Sequence, residues 1–419
     1  MNRPVASSAP ATPSSPKLRI AVFNRNFSPT GGGAERYSIA LVEQLAARHD
    51  IHVFAQEIGH EWPGVTYHRV SMPLPKPRWV NQLWFATAAW WATRRGFDIV
   101  HSHENTWHGN VQTVHVLPVK HNLFNGRGGW RHALRCLSVA TSPRLLTYLG
   151  LERLRYAARP GRQLVVTSDS LQGIMAGSYP DCAAMLSVIT PGITLPSWPI
   201  TPLQKSQARA ALGLPAAGRC LLFVGNDYRK KGLAAVLEAL AALPADVVLA
   251  VVGNTAAMAG FKDQLARLKL AQRVFFLGSL QDVGPAYRAA DALVHPTLED
   301  TFAMVVLEAM AHGLPVIVSA ARYCGISGLL QHGVNAMVLD DPRDGTHLSQ
   351  VLAQVLGQPA LAARLCQGAM NFTQDYQWHE IALKQEALYF ASVAAGRSGG
   401  RAAGQAVGLS SGPSVSGES

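Results

Sequence analysis

Short β-branched, apolar runs alternate with amphipathic stretches along nearly the whole chain, and this alternation restricts the fold more than any other feature. Parallel strands need long crossovers, and a helix between each pair of strands supplies them, so the pattern reads as layered α/β. In the first half, candidate strands fall at Leu18–Phe23, Ile51–Ala55, Val65–Val70, Asp98–His101, Val111–Val116 and Leu164–Thr167. A second series falls at Cys220–Gly225, Val247–Val252, Val274–Leu277, Ala292–His295 and Val316–Ser319. Between them lies ITPGITLPSWPITPLQ, rich in proline and without periodicity, which reads as a linker. The 419 residues exceed what one core organises, and each half suits one doubly wound unit.

The chemistry concentrates in HPTLEDTFAMVVLEAMAHGLPV, from His295 to Val316. A strand ending at His295-Pro296 runs into an acidic turn, and a helix is expected from about Phe302 to His312, stopped by Gly313 with Pro315 beyond. Asp300 or Thr301 can cap its start, because a short side-chain oxygen there accepts an unpaired amide. The amides of Phe302, Ala303 and Met304 then point outward at the positive end of the helix dipole, where a phosphate binds. Glu308 lies about two turns further in, too deep to be a cap. By itself this is an ordinary capped helix; its weight comes from the motifs that accompany it. An acidic turn, an anion-binding helix start and a deeper carboxylate suit a ligand with phosphates and hydroxyls, such as a nucleotide-sugar.

The Asp300-x7-Glu308 spacing resembles the E-x7-E signature of the retaining family 4 glycosyltransferases, which have the two-Rossmann GT-B architecture. Three other segments share the resemblance. The first candidate strand leads into Thr30-Gly31-Gly32-Gly33-Ala34-Glu35-Arg36, which resembles the family's first loop over the cleft. It lacks a dinucleotide fingerprint and a Walker lysine. The second series opens with LLFVGNDYRKKG, where Lys231 matches the family's diphosphate-gripping lysine. Asn226 stands at the usual arginine position, leaving Arg229 or Lys230 to supply the second charge. Cations at a helix start oppose its dipole, a placement that an anionic ligand explains. The local order of this segment resembles the lipopolysaccharide core glucosyltransferases more than the mannosyl or sucrose branches of the family. His115, in VQTVHVLPVKHNLF, matches the family's strand-end histidine facing the sugar. His101 and His103 match a family segment without an assigned role, and with His108 their spacing suits no metal site.

The formal charge of +11 is uneven. Lys120–Arg162 holds nine Lys/Arg against one acid, Glu152, and Lys76–Arg95 mixes Trp79, Trp84, Phe85, Trp90 and Trp91 with four cations. Cations among tryptophans suit the headgroup zone of an anionic bilayer. For each tryptophan taken singly, a place in the core is the better expectation. No zinc finger or RNA-binding motif accompanies the charge, so nucleic acid is not expected. No apolar run is long enough to span a bilayer, and the N-terminus lacks the hydrophobic segment of a signal peptide. Five scattered cysteines without a CxxC fit a reducing cytoplasm.

Carried onto this chain, the resemblance implies an α/β GT-B fold. It predicts an acceptor domain over 17–195 and a nucleotide-sugar domain over 196–375, with 376–395 crossing back onto the first; 1–16 and 396–419 are expected to be disordered ends. His115 and Asp300 are the expected catalytic residues. Gly32, Gly33, Arg229, Lys230, Lys231, Phe302, Ala303, Met304 and Glu308 are expected to hold the donor. No Asp-x-Asp occurs, so no metal or other cofactor is expected, and cations and amides must meet the leaving group's charge. The expected reaction moves a hexose, with retention, from UDP-glucose or a related UDP-sugar to a lipid-linked or cell-envelope glycan. Lipopolysaccharide core heptose is the sharpest acceptor guess, and the expected location is the inner face of the cytoplasmic membrane. The rival readings are a UDP-sugar epimerase of the same fold and a non-catalytic two-lobed sugar-binding protein. Asp300 in place of the family's glutamate shortens that side chain by one methylene and leaves the sugar open.

Overall fold

Both series of strands form parallel sheets in the computed structural model, which describes residues 16–408 apart from Thr30, Gly31 and Trp198, with side chains as far as Ser398. In chain order the first domain carries β1 (Arg19–Phe23), β2 (Asn26–Phe27), β3 (Asp50–Ala55), β4 (Glu57–Ile58), β5 (Val65–Arg69), β6 (Ile99–Ser102), β7 (Val111–Val114), β8 (Gln163–Val166) and β9 (Leu186–Val188). Seven of these form one sheet in the order β5-β3-β1-β6-β7-β8-β9, while β2 and β4 pair separately. The second domain carries β10 (Arg219–Val224), β11 (Val247–Val252), β12 (Val274–Gly278), β13 (Ala292–His295), β14 (Val316–Ser319) and β15 (Met337–Leu339). Their order is β12-β11-β10-β13-β14-β15. In each sheet the winding reverses beside the first strand, between β1 and β6 and between β10 and β13. Ligands of open parallel sheets bind in the crevice that such a reversal leaves at the strands' carboxyl ends.

The central strands are apolar on both faces because helices cover both. On one face of the first sheet Phe23 meets Phe54 and Phe85 edge-on, at 5.7 and 6.4 Å between ring centres. Tyr37, Leu41 and Leu45 of the first helix, Gly33–Leu45, pack with Trp378, Ile381 and Tyr389 of the last. That last helix, Trp378–Gly408, crosses back onto the first domain as the resemblance implied. Glu386 anchors it to Arg48 and His49, at 3.2 and 2.7 Å.

The expected strands appear to within a residue or two, but β2, β4, β9 and β15 were missed, because strands of two or three residues carry no readable alternation. The linker ends earlier than expected. Thr201 accepts the Gln204 amide while Gln204 accepts that of Thr201, and this capping box starts the helix Pro202–Ala211. The last helix runs on to Gly408, past the expected end near 395; residues 1–15 and 409–419 lie outside the described residues.

The tryptophans depart from expectation. In the helix Arg78–Thr93, Phe85, Ala86 and Ala89 occupy the buried face, which turns Trp84, Trp90 and Trp91 outward, Trp91 to 62% exposure. The helix Gly129–Ala140 is still more exposed: among its residues only Val139 is buried, while Trp130, Leu134 and Leu137 lie open on the opposite side. Among the described residues no helix is long and apolar enough to cross a membrane.

Candidate donor site in the interdomain cleft

The two switch points face each other across a cavity of about 630 Å³, a size that suits a nucleotide-sugar. On the second domain's side the turn after β10 runs Asn226-Asp227-Tyr228-Arg229-Lys230-Lys231-Gly232. Tyr228 is buried against Phe223, Phe261 and Phe276 and pins the turn to the core. Gly232 takes φ +81°, and a Cβ there would lie 2.0 Å from the Pro296 carbonyl oxygen, so only glycine lets this turn lie against the end of β13.

That contact brings Lys231 Nζ to 2.6 Å from Asp300 Oδ2 and 3.1 Å from the Glu299 carbonyl. Asp300 is the hub of the site. Its Oδ1 accepts the amides of Phe302 and Ala303, at 3.2 and 2.8 Å, and its Oδ2 lies 3.3 Å from His295 Nε2. Burial alone would raise its pKa, but the His295 hydrogen bond and the Lys231 charge outweigh this and hold it well below the usual carboxylate range. His295 is fully buried, and burial lowers its pKa, so at neutral pH it donates Nε2–H to Asp300 as a neutral ring.

Several expected roles change. The amides of Phe302 and Ala303 serve Asp300 instead of facing a ligand, and the Phe302 side chain is buried in the core. Ala303 takes a left-handed conformation, φ +72°, so the helix begins only at Met304 and runs to Ala311. Phe302, Ala303, Met304 and Val305 all line the cavity, and the amides of Met304 and Val305 are the ones left for an anion. Of the three basic candidates only Lys231 lines the cavity. Lys230 is exposed and pairs with Glu299 at 3.0 Å, and Arg229 is exposed outside the cleft, because the turn splays consecutive side chains apart. Glu308 does not line the cavity either. Arg36 of the first domain holds its Oε1 at 2.9 Å, and the buried Tyr287 hydroxyl donates to its Oε2 at 2.7 Å.

The first domain supplies the opposite wall. Gly32 caps the first helix, with its amide on Glu35 Oε2 at 2.8 Å, and a Cβ at Gly33 would lie 3.4 Å from Met304 Sδ. His115 follows β7 into the cavity, and its carbonyl accepts the Thr301 hydroxyl at 2.7 Å. Burial, then the Arg155 charge, pushes its pKa down to about 3. Its Nε2 lies 2.9 Å from Nδ1 of His103. Ser168 Oγ donates to the Thr301 carbonyl at 2.7 Å, so one turn of the second domain is tied twice to the first.

Sequence reasoning missed Arg36, Tyr287 and His295 and gave His103 no role. Arg36 sits in the quoted glycine-rich segment, and its adjacency to that turn was the available signal.

Both domains match known families: residues 31–195 match Glycosyltransferase Family 4, and residues 204–372 match Glycosyl transferases group 1. A D-inositol 3-phosphate glycosyltransferase of Frankia alni is 28% identical, over 84% of this chain and 92% of that one. The structure of WaaG, a glycosyltransferase involved in lipopolysaccharide biosynthesis, superposes with TM-score 0.74 at 21% identity, covering 87% of this chain and 98% of that one. HepE of Anabaena, solved with UDP and glucose, superposes with TM-score 0.70 at 19% identity, covering 88% and 98%. The fold, the two matched domains and these relatives together place the chain in the family 4, group 1 glycosyltransferases of GT-B architecture.

Proposed function

We propose that this glycosyltransferase moves a hexose, with retention, from UDP-glucose or a related UDP-sugar to a lipid-linked or cell-envelope glycan, with lipopolysaccharide core heptose as the sharpest acceptor. The observation that carries the reading is the Lys231–Asp300 pair at the second switch point, opposite the Gly32–Gly33 turn and His115. In this reading the diphosphate takes Lys231 Nζ and the Met304 and Val305 amides. The ribose takes Glu308 once Arg36 yields it, and the sugar lies between Asp300 and His115. Lys231 and the helix start meet the charge that develops on the leaving diphosphate. Asp300, the carboxylate beside the sugar, has both oxygens engaged by Lys231, His295 and two amides and so is not free as a nucleophile. In this reading the acceptor attacks on the departing phosphate's own face and the phosphate takes the proton. The relatives named for lipopolysaccharide synthesis and solved with UDP and glucose support this choice of substrates.

The electrostatic clamp makes transfer independent of a divalent metal. Mixing UDP-sugars with membrane extract and following UDP release tests both claims. Release that requires extract and persists after exhaustive chelation is expected. Abolition by chelator with rescue by magnesium contradicts the metal-free clamp, and release unchanged without extract contradicts transfer.

The acceptor side meets an anionic membrane. On the helix Gly129–Ala140, Trp130, Leu134 and Leu137 share an exposed stripe, while Arg131 and the half-buried Arg135 flank it. The helix Arg78–Thr93 adds a further set of exposed rings, Trp84, Trp90 and Trp91, with Arg94 stacked 3.7 Å from the Trp91 ring. Vesicles containing phosphatidylglycerol are expected to sediment the protein, more weakly after Trp130→Asp. Equal sedimentation with purely zwitterionic vesicles contradicts the electrostatic part.

A further inference from the structure

The histidine that lines the cleft is one end of a buried chain of rings. His101 Nδ1 meets the Tyr389 hydroxyl and its Nε2 meets Thr113 Oγ1, both at 2.7 Å. His103 packs on His101 with ring centres 4.3 Å apart and lies edge to edge with His115, ring centres 5.2 Å apart and planes within 16°. Between His103 Nδ1 and His115 Nε2, 2.9 Å apart, a single proton serves as the hydrogen bond. The other His103 nitrogen, Nε2, is buried without a hydrogen-bond partner among the described residues.

Two arrangements satisfy the pair as neutral rings, which their depressed pKa values require. If His115 donates from Nε2, His103 must carry its own proton on Nε2, leaving an N–H buried with nothing to accept it. If His103 donates from Nδ1, only a lone pair is left without a partner. Orphaned buried donors are rarer and costlier than under-used acceptors, so the second arrangement wins. His115 then carries its remaining proton on Nδ1. That nitrogen has no protein partner, is not among the buried unpaired atoms, and belongs to a ring that lines the cleft.

We infer that His103 is a positioning residue that fixes His115 in the Nδ1–H tautomer, so that His115 presents a hydrogen-bond donor to the ligand and not a base. Given the proposed transferase reading, on which this role rests, His115 donates to a sugar hydroxyl or a phosphoryl oxygen. It takes no proton from the acceptor, which leaves the departing phosphate as the proton's destination. His101 does not share the bond; it holds the His103 ring from the far side, and Tyr389 of the crossing helix completes the stack.

The test combines a spectrum with two variants of the full chain. Long-range ¹⁵N–¹H correlation on ¹⁵N-histidine-labelled protein, with His115 assigned by its loss in His115→Asn, reads the tautomer without any substrate. The Nδ1–H pattern is expected; an Nε2–H pattern for His115 overturns the inference. His103→Asn keeps a donor near the Nδ1 position and is expected to retain transfer to within about threefold. His103→Leu removes the donor and is expected to lower kcat by about tenfold or more, with His115 redistributed between tautomers. Equal losses in both variants, with both folded by circular dichroism, also overturn it. If no nucleotide-sugar is turned over while the tautomer is as expected, the transferase reading fails and the positioning of His115 stands.

Discussion

The two domains share one winding order, yet they spend their surfaces differently. In the second, the charges in and around the site are already paired: Lys231 with Asp300 in the cavity, Lys230 with Glu299 outside it, and Glu308 behind it with Arg36 of the first domain. In the first, the cleft wall is the Gly32–Arg36 turn and His115, with the neutral rings of His103 and His101 buried behind it, and the outer face carries exposed tryptophans and cations. The same fold thus carries paired charges on one side of the cleft and, on the outer face of the other domain, exposed aromatic and cationic side chains.

The largest way to break this contrast is to remove the site's central charge. Lys231→Gln keeps an amide that can reach Asp300 but loses the cation, and transfer is expected to fall about 10²–10³-fold. A loss under threefold in steady-state assays would mean that the diphosphate is held elsewhere. Glu308→Gln keeps an acceptor for Tyr287 but gives up the charge facing Arg36. It is expected to weaken donor binding by roughly tenfold in titration calorimetry. Arg36→Ala is expected to do less, because an ion pair whose arginine is a third exposed contributes little.

Acidification sharpens the comparison through the fold itself. In the first domain burial lowers the pKa of His49, His68, His101, His103, His108 and His115; in the second it lowers only His295 and His312. An unfolded histidine binds its proton near pH 6.5, before these folded rings do, so stability falls as pH drops below that value. The limiting slope is about 1.4 kcal/mol per pH unit for each ring. Asp300, with a depressed folded pKa, keeps its contribution until pH falls below the usual carboxylate range. Hydrogen exchange at pH 7.5 and pH 5.5 is therefore expected to show the first domain losing protection first. The reverse order would contradict the burial account.

The smallest expected effect concerns Ala303, whose left-handed backbone is strained for any residue with a Cβ. Ala303→Gly is expected to raise stability by about 0.5–1 kcal/mol in urea titration.

What the sequence disclosed was local. The strand series, the Asp300-x7-Glu308 spacing and the Lys231-Gly232 turn are written in contiguous residues, and each was legible. Arg36 and Glu308 meet across 272 positions, and His101 meets Tyr389 across 288, so no window of sequence joins them. Periodicity found the amphipathic helix faces but not which face the domain would cover, and so the tryptophans were misplaced. The left-handed turn at Ala303 escaped because alanine carries no signal for it, unlike the glycine or asparagine that usually marks such a position.

The central claim is that Lys231 and Asp300 mark a nucleotide-sugar site. Titration calorimetry of the wild type and Lys231→Gln against UDP-, GDP-, ADP- and CMP-sugars tests it most directly. Selective binding of a UDP-sugar that Lys231→Gln abolishes is the predicted result. Failure of every nucleotide-sugar to bind the folded wild type, or equal binding by the variant, would contradict it.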